Sequence, residues 1–492
     1  MHPALRPPSA LTANNQDSQL VTLEKRALCV DLDGTLLRSD VLYESLLSLL
    51  ARNPLYALLV PFWLLRGKAA VKRELASRVS LAPETLPYDE RVIEILRTTQ
   101  QRPRVLCTAS DRLLVAPIAD HLGLFEDVIA SDGDINLAGQ RKAEALVARY
   151  GEKGFDYVAN GRVDLDVWKH SARAIVVNAG SSLADKAARV TQVETHLPAR
   201  NGGLGAWIKA FRLHQWLKNL LVFVPLLTAH QFLNGKALID AGLAFLAFSL
   251  CASGVYLLND LLDLTPDRLH ERKRKRPFAA GSLPLLHGLL AAPALTMAGL
   301  GLALWCSSDF LVVLVCYYVM TLAYSFKLKR IVMIDVVLLA ALYTVRIVGG
   351  TAAIDAVMSF WLLAFSMFIF LSLALLKRYT ELAAALSNGK LQAAGRGYSV
   401  TDLSLIQSLG AASGYCAVLV LALYINSPQS VALYRHPQVL WLLCPVLLYW
   451  TSRTWIVAHR GEMHDDPVVF AATDRVSQVV IAVAGLVALL AI

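Results

Sequence analysis

Hydrophobic positions divide this chain in two. Up to about residue 205, apolar runs are short and separated by charged stretches, as in a soluble domain. From about Trp216 onward, apolar runs of membrane-spanning length repeat to the C-terminus. They fall near 219–233, 237–258, 284–304, 309–325, 332–352, 358–376, 407–425, 438–456 and 477–492, which predicts an all-α bundle of about nine spans. The pattern gives three regions: a polar disordered tail over 1–24, a soluble domain over 25–200 and a membrane domain over 201–492. Asn178 to Asn201, ending in Asn201-Gly202-Gly203, reads as the edge of the soluble domain and a linker. One run breaks the division. Leu55 to Leu65 is apolar but too short to span, so it is either a helix pair packed on its own domain or a segment dipping into the membrane interface.

Composition agrees. Of 492 residues 56% are hydrophobic and 17% charged, with a mean hydropathy of +0.49, too apolar for an ordinary soluble enzyme. The net charge of +9 is assigned to topology and anionic ligands, not to nucleic acid. Alternate loops carry Arg268 to Arg276, then Lys327, Lys329 and Arg330, then Lys377, Arg378, Lys390 and Arg396, then Arg453, Arg460 and Arg475. Positive loops face the cytoplasm, so the soluble domain is expected there and the protein in the cell inner membrane. Trp207 to Lys218 is an interfacial lead-in, and Trp441, Tyr449, Trp450 and Trp455 are expected as interfacial anchors. The seven cysteines show no metal-type spacing and are expected as buried, reduced thiols.

Chemistry concentrates in two stretches. Lys25 to Val30 is a strand that runs into Asp31-Leu32-Asp33-Gly34-Thr35, two alternate aspartates entering a glycine turn. A second strand, Arg104 to Ser110, ends in hydroxyls; Lys142 follows the Gly139 turn, and Tyr157 to Asp164 is a third candidate segment. The order resembles the motifs of the haloacid dehalogenase phosphatase superfamily. The resemblance implies an α/β Rossmann-like fold with a small helical cap, Asp31 as phosphoryl-accepting nucleophile and Asp33 as general acid/base. It further implies Thr108 orienting the phosphate, Lys142 compensating charge, and Mg²⁺ held by Asp31, Asp33 and Asp164. The family's Gly-Asp pair is Ala159-Asn160 here, which leaves a working phosphatase and a domain that only binds, docks or regulates as the two readings.

The second stretch is Asn259-Asp260-Leu261-Leu262-Asp263-Leu264-Thr265-Pro266-Asp267, followed by the basic run Arg272 to Arg276. Asn259, Asp263 and Asp267 are one helical turn apart, and Pro266 is expected to end or kink the helix. Crowded carboxylates invite a divalent cation, and Mg²⁺ prefers a few carboxylates plus substrate phosphate oxygens. The bland alternative is a solvated, positive-inside loop.

Asn259-Asp260, Asp263, Asp267-Arg268, His270, Lys273 and Arg276-Pro277 resemble the first Asp-rich motif of the UbiA superfamily of membrane prenyltransferases, nearest its polyprenyl-phosphate phosphoribosyltransferase branch. Gln215 to Asn219, Tyr324-Ser325 to Lys329 with Asp335, Arg346 with Gly349-Gly350, and Lys377-Arg378-Tyr379 agree with it. The resemblance implies Mg²⁺-dependent transfer of a 5-phosphoribosyl group from phosphoribosyl pyrophosphate to a polyprenyl phosphate. Asp260, Asp263 and Asp267 would hold the metal, with Asn259 as neutral ligand or orienter, and Lys273, Arg276, Lys327 and Lys329 would bind phosphates. The soluble domain would then take the 5-phosphate off the product. An aromatic prenyltransferase and a non-catalytic membrane scaffold are the competing readings, and a homo-oligomer is compatible with all three. The second acidic site is sparse, with Asp335 alone near Lys327 and Lys329, which leans towards the phosphoribosyl donor. Arg346, a lone charge in the apolar run Val336 to Val348, is expected to meet a substrate phosphate or an acidic motif residue, the alternative being a structural ion pair. Asp465-Asp466 reads either as a third cation contact or as a helix cap before Pro467.

Overall fold

A computed structural model of the protein describes residues 26–132, 136–199, 202–389, 391, 396–463 and 466–492. The expected tail, Lys25, Asn201, Lys390 and Asp465 lie outside the described residues. The chain forms two compact units. One comprises residues through Phe211 together with Leu257–Ala291; the other comprises Arg212–Tyr256 and Ala292–Ile492.

The first unit is built on a six-stranded sheet in the order β3-β2-β1-β4-β5-β6. The strands are β1 (Ala27–Val30), β2 (Arg104–Asp111), β3 (Asp127–Ser131), β4 (Phe155–Ala159), β5 (Arg173–Ala179) and β6 (Gln192–Pro198), every neighbouring pair parallel. Parallel strands need crossovers that cover both faces, so β1 is apolar at every position. Leu28 and Val30 enter the core on one face with Leu106, Val115 and Ile118; Ala27 and Cys29 enter the other with Leu146, Tyr157 and Trp168. The stretch expected as a linker instead supplies the end of β5, a helix at Ser181–Ala188 and the edge strand β6.

Between β1 and β2 the chain makes a cap: α1 (Val41–Arg52), a 3₁₀ turn Pro54–Leu58, α2 (Val60–Leu65) and α3 (Lys68–Ala76). Asp40 caps α1 by accepting from the Leu42 amide at 2.9 Å. Trp63 and Tyr56 turn inward, where Trp63 packs with Leu49, Val71, Leu75 and Val79. The opposite face of the same segment is bare.

Beyond this domain run long apolar helices: α4 (Gly235–Leu262), α5 (Leu285–Cys306), α6 (Ser308–Phe326), α7 (Ile334–Ala353), α8 (Phe360–Ser387), α9 (Leu403–Ile425) and α10 (Leu443–His459). These seven, with 3₁₀ turns extending α9 and α10 at their starts, are long and apolar enough to cross a membrane. α11 (Pro467–Thr473) and α12 (Arg475–Ala491) meet at 79° and would add an eighth if counted as one span. Nine were expected. The difference lies at 219–233, where a 3₁₀ stretch, Leu213–Phe223, gives way to the five-residue helix Val224–Thr228. Pro225 lacks the amide needed to continue the preceding turns, so it opens a new short helix instead.

Two further expectations are corrected. Trp455 is not an interfacial anchor. It is buried and donates from Nε1 to Ser372 Oγ at 3.2 Å, over Gly410, where an added Cβ would come within 2.1 Å of its ring. Trp441 and Tyr449 are exposed, and Trp450 donates to Ser477 Oγ at 3.0 Å. All seven cysteines are free, but Cys316 and Cys416 are exposed rather than buried.

Candidate functional site

Asp31 follows β1 and Asn160 follows β4, the neighbouring strands at which the order of the sheet reverses. Ligands of doubly wound sheets bind there, beyond the carboxyl ends of the strands. The five residues singled out in this domain converge at that point. Lys142 Nζ is buried and donates to Asp31 Oδ1 at 2.7 Å and to the Tyr157 hydroxyl at 2.9 Å, with Asp164 Oδ1 at 3.9 Å. Asp164 is fixed by the Gly161 amide at 2.9 Å and by Tyr157 at 3.1 Å. Asp33 accepts from the Val41 amide at 2.7 Å through Oδ1, and through Oδ2 from Ser110 at 2.7 Å and Thr108 at 3.5 Å. Thr108 and Ser110 are alternate strand residues and so face the same way.

Charge is out of balance here. Loss of solvent, then the charges of Asp40 and Asp31, push the Asp33 carboxyl up to about 7, against the Val41 and Ser110 hydrogen bonds. Burial and Asp31 push Asp164 up to about 6, with Lys142 opposing. Burial alone would discharge Lys142, but Asp31 and Asp164 outweigh it and hold its ammonium above the usual lysine range. The residues therefore fit a divalent cation: oxygen donors predominate and negative charge exceeds positive. Among the described residues no three His, Cys, Asp or Glu side chains converge on one metal position. Mg²⁺ needs only one or two carboxylates besides water and substrate phosphate, so the donor set remains adequate.

Asn160 packs against Gly34, whose φ of +72° suits glycine and where an added Cβ would meet the Asn160 amide at 2.2 Å. Its Oδ1 accepts from Thr35 at 3.3 Å. Ser110, Tyr157, Asp40 and Lys72 went unassigned in the sequence. Lys72 reaches from α3 to the Ala109 carbonyl at 2.5 Å, so the cap touches the strand that carries Thr108 and Ser110. The signal for Ser110 was its two-residue spacing from Thr108; Lys72 had none.

The Asp-rich segment lies in the same unit. α4 ends at Leu262, and the break falls at Asp263, not at Pro266. Pro266 sits in the first turn of a new short helix, Leu264–Leu269, where its missing amide costs no hydrogen bond. Asp267 is therefore helical rather than in a loop. The backbone carries on in near-register, the Asp263 amide bonding to Asn259 and the Asp267 amide to Asp263, each at 2.9 Å. The face that closes is Asp260 with Asp267, two turns apart. Both are buried, and Arg276 Nη1 joins them at 3.1 and 2.6 Å. Asp263 is half-buried and Lys273 exposed. Burial raises the Asp267 carboxyl, helped by the Asp263 charge, although Arg276 and Lys273 oppose it. The donors are all oxygen and the acids still crowd, so this segment also fits a divalent cation. Arg268 leaves the cluster: it donates twice to Glu44 of α1, at 2.6 and 3.1 Å, and to the Ala279 carbonyl at 3.0 Å.

In the second unit Asp335 is fully buried against Arg378 at 2.6 Å and accepts from Tyr398 at 2.5 Å. Arg378 also reaches Tyr324 at 3.0 Å, which Arg396 contacts at 3.2 Å. Lys327 is exposed, and the Lys329 carbonyl takes Arg396 at 3.1 Å. Arg346 is buried, and its hydrogen-bond partners in the structure are neutral: Asn219 Oδ1 at 2.8 Å, the Tyr317 hydroxyl at 3.0 Å and the Leu342 carbonyl. Neither the acidic partner nor the ion pair considered for Arg346 is among them. Its guanidinium also lies over the Tyr317 ring at 4.8 Å. Asp466 both caps α11, through the Val468 amide at 3.1 Å, and receives Lys218 at 2.9 Å and Lys377 at 2.8 Å. Burial opposes its ionisation, but the two lysines prevail and hold it well below the usual carboxylate range.

A bundle of spanning helices with an oxygen-rich acidic segment at the end of one of them is the arrangement of a membrane transferase. The family model of the UbiA prenyltransferase family matches residues 222–473, about half the chain. An uncharacterised protein, y4nM, of Sinorhizobium fredii is 37% identical over 458 residues, covering 92% of this chain and 88% of that protein. Nodulation protein NoeC of Azorhizobium caulinodans is 37% identical over 280 residues, 56% of this chain and 89% of NoeC. The decaprenyl-phosphate phosphoribosyltransferase of Mycolicibacterium smegmatis is 34% identical over 209 residues, 42% of this chain and 66% of the enzyme. The chain belongs to the UbiA prenyltransferase family and is an integral membrane transferase.

Proposed function

We propose that the chain transfers a 5-phosphoribosyl group from phosphoribosyl pyrophosphate to a polyprenyl phosphate at the cytoplasmic face of the inner membrane. One observation carries the choice of donor. Asp335, the lone acid at the second site, is fully buried against Arg378 and Tyr398, whereas Asn259 to Asp267 carries three acids, two bridged by the partly exposed Arg276 and the third, Asp263, half-buried. A prenyl diphosphate held between two metal sites would want acids at both. The 34% identity to a phosphoribosyltransferase supports the same reading.

Asp260, Asp263 and Asp267, with the Asn259 amide, would hold Mg²⁺, which when bound spreads the charge of the departing pyrophosphate. Arg276 keeps Asp260 and Asp267 side by side in the meantime. Lys273, Lys327 and Lys329 offer cations to phosphate oxygens. Arg346, whose hydrogen-bond partners among the described residues are neutral, would offer its guanidinium to an anion. The lipid phosphate is already ionised, so the residues need to bind, orient and exclude water rather than take a proton.

The α/β domain is assigned as a phosphomonoesterase of the haloacid dehalogenase kind, acting on the phosphoribosyl product. Asp31 attacks phosphorus; Asp33 passes a proton to the leaving oxygen and later takes one from water. Thr108 and Ser110 hold Asp33, and Lys142 balances Asp31 and Asp164.

Membranes carrying the protein, supplied with polyprenyl phosphate and Mg²⁺, should move label from phosphoribosyl pyrophosphate into lipid, and a chelator should stop it. Label entering lipid product only from prenyl diphosphate would overturn the donor. Asp31→Asn should leave the product phosphorylated; a parent protein that never dephosphorylates it would overturn the second assignment.

A further inference from the structure

We propose that the outer face of the cap segment Pro54–Leu65 is a membrane-surface anchor, immersed at the headgroup–acyl boundary of an anionic bilayer. The inference rests on the membrane placement of the family and not on which donor the enzyme uses.

The segment is apolar on both sides. Tyr56 and Trp63 face the cap interior. Leu55, Leu58, Leu59 and Phe62 stand at the i, i+3, i+4, i+7 spacing of one helical stripe, and they are 44% to 69% exposed. Leu65, three residues beyond Phe62, extends it at 85% exposed, and Leu64 is exposed on another side of the helix. Together these side chains form an exposed apolar patch of the kind that marks an interaction surface on a soluble domain. Among the described residues of its own unit, none covers this stripe.

Charge and position both favour lipid. From Ala51 to Arg73 the chain holds no acidic residue, while Arg52, Arg66, Lys68 and Arg73 are basic, with Lys72 turned inward to the Ala109 carbonyl. Arg52 stands two residues before the segment and Arg66 directly after it; Arg66 pairs with Glu74 at 3.2 Å yet stays two-thirds exposed, so both can meet anionic headgroups as the flanks of an interfacial helix. The level is set independently. Ala51 and Arg52, at the end of α1, line the same cavity of about 310 Å³ as Leu261 and Leu262, the last two residues of the spanning helix α4. Glu44 at the other end of α1 is bonded to Arg268, six residues beyond that helix. The stripe therefore begins beside the residues that end α4.

Spin labels at Leu58→Cys, Phe62→Cys and Leu65→Cys, with Cys316 and Cys416 replaced by serine and Glu94→Cys as an exposed control, test this in the full chain. The protein is placed in bilayers of phosphatidylethanolamine and phosphatidylglycerol, and each label is probed for collision with oxygen and with a water-soluble nickel chelate. Oxygen should dominate at 58, 62 and 65 and the chelate at 94. Dominance of the chelate at all four positions would overturn the proposal. So would exclusion of both reagents, which with spin–spin broadening would indicate a second copy and without it another part of the chain. In phosphatidylcholine alone the oxygen preference should fall; an unchanged preference would refute the part assigned to the basic flanks.

Discussion

Replacing Lys142 by methionine removes one positive charge from between two buried carboxylates while keeping most of the side-chain volume. Asp31 and Asp164 are each under a tenth exposed, and Lys142 is their nearest cation, at 2.7 and 3.9 Å. Stranding a buried charge costs about 3–5 kcal/mol. That deficit is expected at pH 8, above the value of about 6 to which Asp164 is raised. Lower pH relieves it, since each pH unit returns up to about 1.4 kcal/mol per carboxyl that takes a proton. Lys142 itself does not contribute to this dependence. Its ammonium is held above the usual range, so the stability it brings is complete below the unfolded-state value and lost only in strong alkali. The deficit should therefore shrink to about 1 kcal/mol at pH 5. Hydrogen exchange of the full chain in lipid nanodiscs, read on peptides covering β1 and β4, measures it in place. A deficit equally large at pH 5 and pH 8, or below about 1 kcal/mol at pH 8, would refute the charge-balance reasoning.

Asp33→Asn tests the other raised carboxyl. A group held at about 7 against an ordinary 3.8 favours the fold below 3.8, and that contribution is lost as pH rises through 7, so the variant should melt above the parent at pH 8 and with it at pH 4. The same change should lower phosphomonoester hydrolysis about 10²–10⁴-fold. In the parent, a proton-requiring step should slow as pH rises through about 7. Glu44→Gln with Arg268→Met, taken through a double-mutant cycle, should show a coupling of about 2–3 kcal/mol for this bidentate pair; additive effects would deny it. Arg346→Lys should lose the paired bonds to Asn219 and Tyr317, and phosphoribosyl transfer should fall at least about tenfold, with Arg346→Met lower still.

The clustering of Asp31, Asp33 and Thr108 at the ends of β1 and β2 was legible because its parts are local. Asp31 and Asp33 leave one strand, and Thr108 and Ser110 end another, so alternation alone places each pair. The spans from α4 onward were legible for the same reason: length and apolarity are properties of a window. What escaped notice depends on distant partners. Nothing near Asp260 and Asp267 indicates that Arg276 will take both, and Glu44 meets Arg268 across 224 positions of chain. The helix break moved from Pro266 to Asp263 because proline is tolerated in a first turn as readily as beyond a last one. Trp455 carries the composition of a membrane anchor, but a glycine opposite it made room for a core position. At 219–233 hydropathy gave no sign of the backbone break that Pro225 imposes.

The first compact unit is made from two pieces of chain, with residues 212–256 belonging elsewhere. Ribosomes deliver those pieces at different times. All six strands emerge early, yet Glu44, meanwhile held by Ser39, waits for its cation until Arg268 emerges six residues behind α4. Synthesis thus has an order written into it: the strands of the sheet first, the residues that complete the same unit's contacts after α4. A fragment cut after Phe211 would keep every strand but present Glu44 without its cation, and would be a poor stand-in for the domain as it exists in the whole protein.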